Sequence, residues 1–248
     1  MERKYYEDIG YKPFLFFLVF GVSVDELQVS REKHKVDGIP EGLDIASLTR
    51  QDHSDYIDGI LGGEIGNQLM KADNALYQKC KDTDKCIVLK GNIENDSTFD
   101  YMRNVIGIIE ALVENGAAGV LDLLTFTLYS PEVWTERFFD QEINAQNHVM
   151  IMFSAEEDGT YWIHTRGMAE FGRPDIGISN VPEDKLEDYK QVTDQMVFYG
   201  GQGLFFKGQA RLHTFNEKSF IVHPEFINDF ENDDYNNAYY VVCVEEEG

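Results

Sequence analysis

Helix-like and strand-like hydrophobic patterns alternate along the whole chain, and this alternation leaves few fold classes open. The clearest helix has a single apolar stripe over residues 99–113, and short apolar strands flank it at residues 86–89 and 120–128. Apolar residues spaced three and four apart form one face of a helix, whereas short β-branched runs favour strands. The alternation therefore predicts a mixed α and β core.

The second half of the chain contains a strong hairpin signal. Asp158-Gly159 separates two apolar-rich runs at residues 148–155 and 160–165, and an Asp-Gly pair is favoured in tight two-residue turns. Strands joined by such turns pair antiparallel. The other predicted strands cover residues 14–24, 175–179, 210–215, 219–222 and 238–244. The fold class that follows is α+β, with a largely antiparallel (mixed) sheet flanked by helices.

Three more helices are predicted from periodicity and from capping residues. The first covers residues 64–79, and the third begins at Pro182 and ends before Gly200-Gly201. The second begins at Ser130-Pro131-Glu132, where Ser caps the helix, Pro fits its first turn and Glu meets its positive end.

The organisation along the chain is simple, because no repeat or Pro-rich hinge interrupts it. We expect a single α+β domain over residues 1–248, within which two sub-lobes meet near residue 146. Residues 30–60 are polar and weakly patterned, which predicts a loop excursion.

The protein surface is expected to be strongly acidic, because 45 acidic residues outnumber 21 basic ones and the formal net charge is −24. Such a field repels phosphate backbones and anionic lipids, so neither nucleic acid nor membrane is an expected partner. The longest apolar stretch, residues 14–24, is far shorter than the roughly 20 residues of a membrane span and lacks a positive leader. Three cysteines fit no zinc pattern and leave one thiol unpaired. A cytoplasmic location with reduced thiols is the expectation.

The end of the chain combines acidic and aromatic residues. From Glu225 onward there are eight acidic residues and neither Lys nor Arg. Opposite charge steers association and aromatic side chains supply binding hot spots, so this region predicts a basic protein partner. A solvated face that serves only solubility is the alternative. The residues expected to bind the partner are Glu225, Asp229, Phe230, Glu231, Asp233, Asp234, Tyr235 and Tyr239.

A second candidate surface lies on the predicted strand at residues 160–165. Trp162, His164 and Arg166 are spaced two apart, so their side chains share one face of a strand. Together these residue types can line a site for an anionic or aromatic ligand. Equally, Arg166 can pair with a carboxylate while Trp162 packs in the core.

No sequence pattern predicts a catalytic residue, a metal site or a cofactor. The Gly-x-Ser-x-Gly and His-x-x-x-His patterns are missing, and Asp229–Asp234 departs from a calcium loop because Asp234 stands where that loop requires Gly. We therefore expect binding rather than catalysis. The alternatives are a carboxylate-dependent hydrolase, with acids from several loops in a cleft, and a non-catalytic scaffold.

One segment carries a family resemblance. It runs Tyr161-Trp162-Ile163-His164-Thr165-Arg166-Gly167-Met168-Ala169-Glu170-Phe171-Gly172 and is followed by Asp175-Ile176-Gly177-Ile178. This resembles the bacterial domain-of-unknown-function family 4261, in which a strand leads into a Thr-x-Gly turn and then into an acidic, β-branched strand. The run Tyr129-Ser130-Pro131-Glu132-Val133-Trp134 is similar to a second segment of that family. The resemblance covers residues 85–180.

The resemblance implies a bacterial protein without an established activity, and it transfers no catalytic residue. The family is associated with loci that contain toxin-immunity proteins. An immunity protein that neutralises a basic toxin domain by occlusion is therefore the specific form of the binding prediction. Within the motif, Gly167 and Gly172 are expected to adopt positive φ or to allow close backbone approach, while Met168 and Phe171 anchor the turn on the core.

Overall fold

The computed structural model describes residues 1–215 and 217–247, and the chain divides into two compact units. The first unit comprises Met1 and Phe14–Ile143, and the second comprises Glu2–Pro13 and the chain from Asn144 onward. The boundary after Ile143 lies close to residue 146, where the sequence suggests that two sub-lobes meet. Each unit contains its own sheet, so two sheets replace the single one that was expected.

The first unit is built on a five-stranded antiparallel sheet with the order β2-β3-β1-β4-β5. Its central strand comes from the long apolar run, and it pairs with β3 over seven residue pairs and with β4 over four. A strand buried on both faces is apolar throughout, which explains the unbroken pattern. The strands are β1 (Phe14–Phe20), β2 (Leu43–Thr49), β3 (Lys85–Asn92), β4 (Gly119–Asp122) and β5 (Thr127–Tyr129).

Six α-helices are described in this unit, and three of them share one buried apolar cluster with the sheet. The cluster includes Leu61, Leu69 and Tyr77 on the helices and Leu18 and Val88 on the strands. Burial of this kind is the main driving force for packing helices on a sheet. The helices are α1 (Arg31–His34), α2 (Arg50–Leu61), α3 (Gly63–Ala72), α4 (Asn74–Lys81), α5 (Asp100–Glu114) and α6 (Pro131–Trp134).

The helix predicted at residues 64–79 is broken into α3 and α4. Asp73 has an extended backbone with φ −151° and ψ 96°, and its carboxylate accepts a hydrogen bond from the Leu76 amide at 3.0 Å. Asp at this position caps the second helix, a role in which its side chain competes with continued helix. The apolar residues keep their helical spacing across the break, so the hydrophobic pattern does not reveal it.

Residues 30–60, predicted as a polar loop excursion, instead form α1, β2 and most of α2. All seven residues of β2 pair with β3, yet most of its side chains are exposed because the strand lies at an edge of the sheet. In α2 only Ile57 and Leu61 are buried. Elements with so little buried surface have a weak hydrophobic pattern. For this reason the pattern did not predict these helices and this strand.

The strand predicted at residues 120–128 is a hairpin formed by β4 and β5. The carboxylate of Asp122 accepts hydrogen bonds from the Leu124 amide at 2.8 Å and from the Thr125 hydroxyl at 2.5 Å. Asp side chains favour turns by bonding to the backbone two residues on. Phe126 completes the turn with φ 53°.

The second unit contains a six-stranded sheet with the order β6-β7-β8-β11-β10-β9, in which only β8 and β11 are paired in parallel among the described residues. The helices of this unit are α7 (Ala145–His148) and α8 (Leu186–Gly201). The prediction of an α+β fold with largely antiparallel pairing is confirmed. The strands are β6 (Met150–Ala155), β7 (Tyr161–Arg166), β8 (Asp175–Val181), β9 (Ala210–His213), β10 (Ser219–Ile227) and β11 (Tyr239–Glu246).

The motif that carries the family resemblance forms a turn between β7 and β8. Gly167 has φ 112° and Gly172 has φ 59°, as expected for glycines in a left-handed conformation. Met168 and Phe171 are buried between them. The turn is therefore anchored on the core as the sequence predicts.

Two buried arginines tie the N-terminal segment to this turn, and the sequence analysis missed both. Arg3 donates to the carbonyl oxygen of Phe171 at 2.7 Å, and Arg173 donates to that of Glu7 at 2.7 Å. Guanidinium groups suit this role because they offer several donors in a fixed plane.

None of the described helices has the length and apolarity that a membrane span needs.

Candidate functional site

Strand β7 presents Trp162, His164 and Arg166 on one face of the second sheet, as their spacing predicts. The rings of Trp162 and His164 are stacked, with centroids 3.7 Å apart and planes 22° apart. His164 is only 7% exposed, and Arg166 is half-buried.

The face is covered by residues 228–238, which join β10 to β11 and which we call the acidic loop. Tyr235 packs edge-on against the rings of Trp162 and His164, with centroid distances of 5.8 and 6.5 Å. It also stacks on Tyr239 at 4.2 Å. Arg166 donates from Nη2 to the carbonyl oxygen of Asp233 at 2.7 Å. The structure thus brings the two predicted surfaces together into one cluster.

We call the rings of Trp162, His164, Tyr235 and Tyr239 the aromatic platform. Strand β8 leaves room for it because Gly177, which pairs with His164, has no side chain. A Cβ at position 177 would lie 2.0 Å from the Tyr235 hydroxyl oxygen, a distance that real atoms do not tolerate. Burial raises the pKa of the Tyr235 phenol well above its ordinary value. The platform is therefore a packed, uncharged support for the loop.

Asp175 fixes the far end of the acidic loop. Its carboxylate accepts hydrogen bonds from the Thr165 hydroxyl at 2.8 Å, the Asn237 side-chain amide at 2.8 Å and the Met168 backbone amide at 3.3 Å. Burial raises the pKa of Asp175 to about 7, against the opposing effect of these donors and of the nearby Arg166 charge. A carboxylate enclosed in this way holds structure together and is not open to a substrate.

The outer side of the acidic loop is exposed and charged. Asp229, Glu231, Asp233 and Asp234 are all exposed, and the Phe230 side chain between them is 53% exposed. None of these four carboxylates forms an ion pair with a described residue. The loop therefore presents exposed negative charge around an exposed aromatic ring, and the Asp234 charge also interacts with that of Arg166.

The structure divides the predicted partner-binding residues into two groups. Glu225 and the five loop residues from Asp229 to Asp234 that were predicted are exposed, whereas Tyr235 is buried and Tyr239 is half-buried. The Tyr235 ring packs on Trp162 and is not exposed for a partner to contact in this structure. The alternation of acids and aromatics in sequence does not reveal which rings point inward.

The structure places the predicted ligand surface on β7 under the acidic loop. Tyr235 and the Asp233 carbonyl occupy the face that Trp162, His164 and Arg166 would offer to a ligand. Burial and the neighbouring Arg166 charge lower the pKa of His164, so its ring is neutral at pH 7. Its Nδ1 atom is buried and has no hydrogen-bond partner among the described residues. These residues support the loop and do not form an open anion site.

Within the described part of the chain, no group of three or more His, Cys, Asp or Glu side chains is placed to hold a metal ion. Burial raises the pKa of the Cys80 thiol to about 12 and that of Cys86 to about 11, which makes both poor nucleophiles. The third cysteine, Cys243, is exposed.

Comparisons of the chain with protein-family models, with curated proteins and with solved structures find no match. The resemblance to family 4261 therefore stays a prediction that depends on the motif residues alone.

Proposed function

We propose that the second unit is a protein-binding module whose acidic loop covers a basic surface of a partner protein. The observation that carries this proposal is the combination of four unpaired, exposed carboxylates with the exposed Phe230 ring on a loop held by a buried platform. Charges that face solvent steer a partner of opposite sign, and an exposed aromatic ring can contribute a large share of the binding free energy.

The support beneath the loop favours a binding role over simple solubility. A flexible acidic tail would serve solubility equally well, because net charge alone keeps proteins dispersed. Here Arg166, Asn237 and Tyr235 hold the loop at three points. A preformed loop loses little conformational entropy on association, which strengthens binding without any added contact.

The resemblance to family 4261 supports a more specific proposal, in which the partner is a toxin domain and the chain is its immunity protein. A toxin that acts on nucleic acid needs a basic cleft, and an acidic loop of this kind would occlude it. The hydrolase alternative has less support, because Asp175 and Glu110, two carboxylates whose pKa burial raises, are enclosed in the core.

The test is charge reversal on the loop. Replacing Glu231, Asp233 and Asp234 with Lys is expected to weaken the affinity for a basic partner about hundredfold, because three attractive charges become repulsive. The purified chain is tested by calorimetry against each basic protein encoded beside its gene, at about 50 and 300 mM salt. Binding by the unaltered chain is expected to weaken as the salt concentration rises.

The matched control makes the same change in net charge elsewhere on the unit. Glu183 and Asp184 in the turn before α8 and Glu187 in its first turn are exposed acids, and their replacement by Lys is expected to change affinity by less than about threefold. An equal loss in both triple variants would mean that overall charge alone acts. Binding that is insensitive to both triple variants would also refute the proposal.

A further inference from the structure

The first unit contains a cavity of about 230 Å³ beside α5. Its apolar wall is formed by Ile106 on α5 and by Phe138, Phe139 and Ile143 after α6. Pockets that bind small molecules are concave, mainly apolar and equipped with few polar groups. The polar groups of this cavity therefore decide what it can bind.

The wall that carries the two phenylalanines has an unusual backbone. Thr135–Phe139 form a π-helical turn, a conformation that is rare and is found mostly at functional sites. The Thr135 hydroxyl donates to both carboxylate oxygens of Glu110 on α5, at 3.0 and 2.9 Å. Trp134 packs against Phe138 with ring centroids 4.7 Å apart. The wall is thus fixed in place.

Lys35 brings a positive charge to the cavity. Its backbone is left-handed, with φ 58° and ψ 32°, a conformation that costs free energy in a residue with a side chain. Its ammonium group lies 4.4 Å from the centroid of the Phe139 ring and donates to the Phe139 carbonyl oxygen at 3.1 Å. Lys35 forms no ion pair with a described residue, whereas Lys33, two residues earlier, pairs with Glu114.

Arg103 also lines the cavity, but its charge is largely compensated. Its Nη2 atom binds Asp37 at 2.5 Å and its Nη1 atom lies 3.5 Å from Asp100, so most of its charge is compensated. Its Nε atom, however, is buried and has no hydrogen-bond partner among the described residues. That Nε has almost no accessible surface, so Arg103 lines the cavity without offering a free donor to a ligand.

The remaining titratable groups limit the charge of a ligand. His34 lines the cavity with its Nε2 atom 3.0 Å from the Glu114 carboxylate, and Glu142 stands on the exposed rim. Glu110 lies behind the wall, where burial raises its pKa. One uncompensated cation and a rim carboxylate favour a ligand with a single negative charge over one with two or three.

We propose that this cavity binds a small monocarboxylate with an apolar or aromatic body. A volume of 230 Å³ equals about eight water molecules at ~30 Å³ each, which is the size of one ring with a short side chain. The carboxylate would accept from Lys35, and the ring would lie against Phe138 and Phe139. Hydrogen bonds between ionised groups are about twice as strong as neutral ones.

The chain provides its own reporter for the test. The sequence has two tryptophans, and in the Trp162→Phe background Trp134 alone reports on the Phe138 wall. Titration with phenylacetate is expected to change the Trp134 fluorescence in a saturable way. The Lys35→Met variant is expected to bind at least about tenfold more weakly, because the charged hydrogen bond is lost.

Two further measurements keep the proposal open to refutation. The Lys35→Gly variant removes the same charge and relieves the left-handed backbone, so it folds and should match Lys35→Met in its affinity for phenylacetate. The matched control Lys33→Met removes a neighbouring charge outside the cavity and should change affinity by less than about twofold.

Phenylacetamide, the neutral isostere, should bind more weakly than phenylacetate and should be insensitive to Lys35→Met. The proposal is overturned by fluorescence that does not saturate by about 10 mM phenylacetate. It is also overturned if the amide binds as tightly as the acid, or if Lys33→Met weakens binding as much as Lys35→Met does.

Discussion

The Asp175→Ala variant is expected to lose about 3–5 kcal/mol of unfolding free energy in the second unit. The substitution leaves the Thr165 hydroxyl, the Asn237 amide and the Met168 backbone amide without their acceptor. Each buried donor without a partner costs about 1–3 kcal/mol, and the three costs overlap because they share one site. Urea denaturation followed by the fluorescence of Trp162, which lies in the same unit, measures the loss.

Asp175 is also expected to make the stability of this unit depend on pH. Burial raises its pKa to about 7, whereas an unfolded Asp titrates near 3.9. Between these values the folded state holds a proton that the unfolded chain has released, so the unfolding free energy falls as pH rises. The contribution is complete below about pH 4 and is lost above about pH 7, and it amounts to about 4 kcal/mol.

The Asp175→Asn variant isolates this effect, because its side chain does not titrate. The unfolding free energy of the unaltered chain should fall relative to that of Asp175→Asn by about 4 kcal/mol as the pH is raised from about 4 to about 7. A difference that stays constant over this range would show that Asp175 keeps the same charge throughout. That result would contradict a raised pKa for Asp175 in the folded state.

Several features of the fold could be predicted because their causes are local. The hairpin expected at Asp158-Gly159 forms, with Gly159 at φ 85°, although Glu156 and Thr160 close a three-residue turn and not a two-residue one. Ser130 caps α6 by accepting from the Val133 amide at 3.3 Å, and Pro131 occupies the first turn. In these cases a few neighbouring residues fix the backbone, and the sequence displays them side by side.

The candidate site could be predicted only in parts, because its assembly depends on distant pairing. The sequence identifies the β7 face and the acidic loop separately. Their contact arises because β11 pairs in parallel with β8, which places Tyr239 opposite Asp175. No local period encodes such a pairing, since periodicity reports burial and not the partner. The anchoring roles of Arg3 and Arg173 were missed for the same reason.

The Tyr235→Ala variant is expected to open the acidic loop. Removing a buried aromatic ring costs about 3–5 kcal/mol, and here the lost contacts are those with Trp162, His164 and Tyr239. Backbone amides of residues 228–238 should then exchange with solvent about hundredfold faster in hydrogen-exchange measurements. Tyr235→Phe keeps the ring and should change the exchange rate only a few-fold. Similar rates in all three proteins would mean that the platform does not hold the loop.

The same variant separates two contributions to partner binding, the charge of the acidic loop and its preformed conformation. Tyr235→Ala leaves every loop carboxylate in place, so the association rate with a basic partner should stay within about twofold. The dissociation rate should rise at least about tenfold, because the loop must be ordered again on each binding event. If the loop opens and dissociation is unchanged, charge alone holds the partner, and the platform serves only the stability of the second unit.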